Sequence, residues 1–123
     1  MKGFLVNVNE KTAGAVDFEA GLDNYYRLLD CDCIDIVTRT IDGKEYDIIC
    51  DDEALLKDSP VPSAIGKHGQ AVLFGNLLIV HHDEEGNTVG LSDEDVQALT
   101  AATSIYLGLR YWLPYPMLHL FDY

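Results

Sequence analysis

Positive charge is what this chain has least of. Eight Lys and Arg stand against twenty-one Asp and Glu in 123 residues, a formal net charge of −13. A surface this negative repels nucleic acid and anionic lipid headgroups and attracts basic proteins and cations, with a field that salt screens beyond roughly 10 Å. Direct nucleic-acid binding and membrane contact are therefore not expected. Cysteine is scarce as well: the three at positions 31, 33 and 50 are an odd number, make no disulfide framework and suit a reducing compartment. The stretch from Met1 to Asn9 has only a short apolar run, unable to serve as a signal h-region, so the chain is expected to be cytoplasmic. Residues 96 to 121 hold a single formal charge, Arg110. Gln97, Thr100, Thr103 and Ser104 nevertheless sit opposite the apolar stripe there and two prolines follow, so an amphipathic helix with a sticky extension is expected rather than a membrane span. Internal repeats and low-complexity linkers are absent.

What is present is enough apolar material for one core. At 48% hydrophobic residues the chain departs from the low-hydrophobicity pattern of disordered acidic sequences, and one folded domain is expected. Alternation in Phe4 to Val8, a polar turn and a second extended run from Ala13 to Phe18 read as an opening hairpin. Leu22, Tyr25, Tyr26 and Leu29 recur at helical spacing and predict a short helix over about residues 20 to 30. Cys33 to Thr40 and Lys44 to Cys50 flank Asp42-Gly43, a pair suited to a tight primed turn, and predict a second hairpin. Residues 51 to 70 read as a long irregular connection. Ala71 to His82, interrupted by Gly75-Asn76, is compatible with one bulged strand or with two strands around a turn, and one long bulged strand is expected. Ser92 with Asp95 resembles a capping box, so a longer helix is expected from Asp93 to about Trp112, stopped by Pro114 and lined by Val96, Leu99, Ala102, Tyr106 and Leu109. The expected architecture is a single α+β domain with a mostly antiparallel sheet, one short and one longer C-terminal helix. Residues 1–107 form its compact part, and 108–123 form an aromatic C-terminal extension packed on it or on a partner.

The acids are clustered. Residues 17 to 35 and residues 42 to 58 each carry a net −5, and 83 to 95 contribute six acids and no base, leaving the rest of the chain at +3. Such runs are ordinarily solvated surface; if they share a face they make an anionic docking patch. Asp51-Asp52-Glu53 is the densest triplet. Carboxylates suit hard cations, but adjacent residues of an extended segment point in opposite directions and the spacing is not that of a calcium loop. Cys31-Asp32-Cys33 and His81-His82 lack the spacing of zinc motifs. Gly66-Lys67-His68-Gly69 lacks the frame of a phosphate-binding loop and reads as a turn. No nucleophilic triad or dyad stands out. The chain is thus expected to need no metal and no cofactor.

Several stretches, taken in order, resemble one family. Cys31-Asp32-Cys33-Ile34-Asp35-Ile36-Val37, Ile48-Ile49-Cys50-Asp51-Asp52-Glu53, Val72-Leu73-Phe74-Gly75-Asn76-Leu77 and Leu91-Ser92-Asp93-Glu94-Asp95 are similar in order and spacing to domain-of-unknown-function family 3846, over about residues 1 to 107. The resemblance implies a setting in bacterial genomes, phages and conjugative elements, where small accessory proteins collect. Ala54 stands where such sequences often have glycine. The family brings no catalytic residues to carry over.

The functional expectation is a non-catalytic accessory protein that binds a basic, nucleic-acid-binding protein through an anionic surface, in its sharpest form as a DNA mimic. The residues expected to carry it are Asp47, Asp51, Asp52, Glu53, Asp83, Glu84, Glu85, Asp93, Glu94 and Asp95. Two alternatives stay open. One is a homo-oligomer assembled through the aromatic tail, with Tyr111, Trp112, Tyr115, Met117 and Phe121 as the interface, since interfaces enrich such residues. The other is a metal-dependent hydrolase or transferase using the carboxylates of residues 51 to 53.

Overall fold

Asp42 and Gly43 both adopt positive φ, 52° and 79°, the conformation of a primed two-residue turn whose twist matches its flanking strands. The expected hairpin forms around them, Ile34–Ile41 (β3) against Lys44–Asp51 (β4), eight residues each. The opening hairpin is also present, Lys2–Asn7 (β1) and Thr12–Asp17 (β2). Its turn is held by the Asn7 side chain, whose Oδ1 accepts from the backbone N–H groups of Asn9 and Glu10 at 3.0 Å each. The computed structural model describes residues 1–56, 61–68, 70–106 and 115–120.

Between the hairpins lies Leu22–Leu29 (α1), with Tyr25 and Leu29 buried. It ends where Asp30 turns left-handed at φ 52°, a conformation short polar side chains tolerate better than most.

The run from Ala71 to His82 is two strands rather than the expected single bulged one, Ala71–Phe74 (β6) and Leu77–His82 (β7), and they belong to different sheets. Gly75 takes a positive φ of 78° and Asn76 is buried, its Oδ1 accepting the Val8 N–H at 2.9 Å. A residue free of Cβ strain followed by one that satisfies a distant backbone donor redirects the chain instead of bulging it. β7 then lies between β1 and β4, antiparallel to both, giving the order β2-β1-β7-β4-β3; Thr88–Val89 (β8) pairs with the end of β7. β7 is covered on both faces. Leu77 and Ile79 join Phe4, Val6, Ile48 and Leu118 in one core, while Leu78 and Val80 pack with Ile49 and the Tyr25 and Leu29 side chains of α1.

Residues 51 to 70 are also more regular than expected: a 3₁₀ turn at Ala54–Leu56 precedes Pro62–Gly66 (β5). Pro62 opens that strand, and the register against β6 is irregular there, a position sheets allow for proline. Lys67 and His68 form the turn from β5 to β6.

Asp93–Ala101 (α2) starts on the expected capping box, with Asp95 N–H donating to Ser92 Oγ and Ser92 N–H to Asp95 Oδ2. It stops at Ala101, well before Trp112. Thr100 and Thr103 hydroxyls donate back to the Val96 and Leu99 carbonyls, a pattern that weakens a last turn. The chain then becomes Thr103–Tyr106 (β9), so Tyr106 lies on a strand and Leu109 outside the described residues. Tyr115–Leu120 (β10), within the segment expected as an extension, lies between β5 and β9 in a second sheet of order β6-β5-β10-β9. It runs parallel to β5 and antiparallel to β9.

The molecule is a single α+β domain of mostly antiparallel strands with two helices among the described residues. None of the described helices is long and apolar enough to cross a membrane.

Candidate functional site

Strand alternation on β4 decides the fate of the acids. Tyr46, Ile48 and Cys50 face the core shared with the second sheet, while Ile49 packs against α1, so Asp47 and Asp51 lie on the α1 side. Asp47 pairs across to Val80 of β7 and Cys50 to Leu77. The start of β4 therefore adjoins the end of β7 and the turn carrying Asp83, Glu84 and Glu85. Asp51, Asp52 and Glu53 sit at the other end, about 13 Å further along from Asp47 at ordinary strand rise. The acids expected to act together fall into two groups.

At the start of β4 the aspartates Asp47, Asp83, Asp93 and Asp95 are bound within the protein. Asp95 is buried, its side chain 6% exposed. Its Oδ1 accepts from Lys44 Nζ at 2.7 Å and from Tyr46 OH at 3.1 Å, and Oδ2 lies 3.1 Å from His81 Nε2 in addition to closing the capping box. Burial pushes the Asp95 carboxyl up, but the hydrogen bonds from Lys44 and from Ser92, with the nearby His81, hold it well below the usual carboxylate range. Tyr46 stacks on His81 with ring centroids 4.6 Å apart. Its hydroxyl is pushed up to about 12 by burial first and then by the Asp95 charge. On the opposite face, Asp47 accepts from Thr38 Oγ1 and lies 2.9 Å from His82 Nδ1. The adjacent histidines thus diverge, each toward its own carboxylate. Asp93 pairs with Lys2, and that hydrogen bond lowers the Asp93 carboxyl and raises the Lys2 amine. Asp83 folds its own turn, its Oδ1 accepting from the Glu85 and Asn87 backbone at 2.9 Å each, and the Asn87 bond lowers its carboxyl. Glu84, Glu85 and Glu94 are exposed.

At the end of β4 the acids meet other acids. Asp51 is buried and its Oδ1 accepts the Glu53 N–H at 2.9 Å; the Asp52 N–H donates to the Cys33 carbonyl, and Asp52 and Glu53 project outward. This short ridge is one wall of an open concavity of about 430 Å³, which α1 closes from the other side with Tyr26 and Asp30 and the following loop with Cys31 and Asp32. Arg27, the one base on the wall, donates to Asn24 Oδ1 at 3.0 Å. The Cys33 thiol is hydrogen-bonded to Glu53, and that carboxylate raises it. Cys50 is pushed up to about 11 by burial first, then by the charges of Asp35, Asp52 and Asp51. Both thiols are thereby disfavoured as nucleophiles. Among the described residues no three or more His, Cys, Asp or Glu side chains converge as metal ligands.

Of the tail residues, Met117 is buried at 1% exposure within this chain. Tyr115 opens β10, and Tyr111, Trp112 and Phe121 lie outside the described residues. Sequence reasoning overlooked Asp30 and Asp32 as neighbours of residues 51–53. The available signal was the Asp52 to Cys33 adjacency that a β3-β4 hairpin around Asp42-Gly43 imposes. It also overlooked Lys44, Tyr46 and His81 around Asp95, whose sequence separations left no local trace.

Comparison with curated proteins and with solved structures returns no match. The family model described as a domain of unknown function, DUF3846, matches residues 1–104, from β1 into β9, and the chain belongs to that family.

Proposed function

We propose that this chain is a non-catalytic acidic accessory protein that docks a basic protein partner at the end of β4, taking Lys or Arg side chains into the concavity between α1 and the residue 51–53 ridge. The observation that supports the reading is that Asp30, Asp32, Asp51 and Glu53 line one hollow with a single base, Arg27, on its wall. Carboxylates lining one hollow make its potential negative and attract a cationic side chain. Near the start of β4, Asp47, Asp83, Asp93 and Asp95 are already engaged within the protein and contribute field rather than contacts. In the phage and conjugative-element setting that the family suggests, a nucleic-acid-binding protein is the partner class that fits, and imitation of its nucleic acid is the narrowest form of the proposal.

The test compares two neutralised variants. Asp32→Asn with Glu53→Gln neutralises two carboxylates of the concavity, and Asp52→Asn one on the ridge beside it, leaving buried Asp51 in place; Glu84→Gln with Glu85→Gln and Glu94→Gln removes the same charge elsewhere. Capture from host lysate should give a basic protein that salt releases, that the first variant loses and the second retains. DNA should displace the chain from that protein if the mimic form holds. Equal loss in both variants reduces the effect to net charge and ends the site-specific proposal.

A further inference from the structure

The residue 51–53 ridge has a second hollow on its other side, of about 160 Å³, with different chemistry. Its wall is formed by Val37 of β3 and by Leu73 and Phe74 of β6, Leu55 stands at its mouth, and Asp35 and Asp52 lie on its rim. The hollow is open to solvent, and its volume is about that of one apolar side chain. Leu55 is 65% exposed and its neighbour Leu56 81% exposed, on a 3₁₀ turn directly after three acids. Two adjacent leucines left in water beside a half-buried apolar wall mark an association surface more than a solubility device. β6 is moreover an outer strand of its sheet among the described residues.

We infer that this hollow receives one apolar side chain of the same basic partner, so that the recognised segment is an aliphatic or aromatic residue flanked by Lys or Arg. The inference rests on the acidic docking reading and adds the partner's second determinant. Charge complementarity selects the occupant. An uncharged apolar segment would desolvate Asp35 and Asp52 without pairing them. A second copy of this chain would bring −13 against −13. A segment with basic flanks pairs the rim and reaches over the ridge into the acidic concavity, which shares Asp51 with this hollow.

Two synthetic peptides of equal charge test it by fluorescence anisotropy: Lys-Arg-Lys-Leu-Lys-Arg-Lys, and the same sequence with Ser at the centre. The leucine peptide should bind the wild-type protein about tenfold more tightly, the scale set by burying part of one leucine side chain. Leu55→Gln, a change at an exposed position, should remove most of that preference while leaving the serine peptide unaffected. Asp52→Asn with Glu53→Gln should weaken both peptides by the same factor. Amide shifts at Leu73 and Phe74 that appear only with the leucine peptide would place it. Equal affinity for the two peptides overturns the apolar subsite and leaves acidic docking standing. Failure of both peptides to bind, or binding indifferent to salt, overturns both readings. Sedimentation showing a wild-type dimer that Leu55→Gln returns to monomer assigns the hollow to a second copy and overturns the proposed occupant.

Discussion

The two ends of β4 use the same residue type in opposite ways. At the start, Asp95 and Asp47 sit among Lys44, Tyr46, His81, His82 and Thr38, and every donor there has a carboxylate oxygen. At the end, Asp51 and Glu53 share a hollow with Asp30 and Asp32. An acid that gathers several side-chain donors stabilises a fold, whereas acids that line one open hollow add a negative potential that favours a cationic ligand. The net charge of −13 says nothing about this division.

Breaking the start should have the largest effect. Asp95→Ala removes a helix cap and strands Tyr46 OH, His81 and the Lys44 ammonium, and should cost roughly 2–4 kcal/mol; urea denaturation measures it, and a loss below about 1 kcal/mol would make the cluster incidental. Titration sharpens the same point with smaller effects. The Asp95 carboxyl is depressed by folding, so its contribution is complete above the ordinary carboxylate range and disappears as pH falls toward the depressed folded value. The wild type should therefore lose stability in acid more steeply than Asp95→Asn. Tyr46 is raised to about 12, so its contribution is complete below the ordinary tyrosine range and is lost as pH rises from about 10 to about 12. Tyr46→Phe should flatten that alkaline limb of a thermal melt series. The end of β4 should barely respond: Asp52→Asn with Glu53→Gln should change stability by less than about 0.5 kcal/mol. Any gain should be greatest at low salt, where repulsion is least screened. A marked destabilisation would mean that those acids, too, are structural.

Much of the fold was legible where one short stretch decides it. Asp42-Gly43 could turn in few ways, and Ser92 with Asp95 announced the start of α2. The failures lie where distant partners decide. Ala71 to His82 is apolar throughout, so periodicity could not show that Gly75 carries the chain from one sheet to the other, and only the buried Asn76 to Val8 bond, 68 residues apart, explains the break. The helix from Asp93 was drawn too long because its apolar spacing continues past Ala101, whereas pairing with β10 takes Thr103 to Tyr106 into a strand. The site was legible as chemistry and not as geometry. The acids were visible, but Lys44 and Asp95 meet from 51 positions apart, and whether a carboxylate is engaged or available depends on such meetings.

β10 lies between β5 and β9, and its parallel pairing joins Leu118 to Ala64. On a chain emerging from the ribosome, every strand of the larger sheet has been made by Val89, while β5 must wait until residues 115–120 appear before it has that neighbour. During that interval the faces later covered by Met117, Leu118 and Leu120 stand open. Transiently exposed apolar surface and an unpaired strand edge of this kind are what make incomplete chains prone to misassociation.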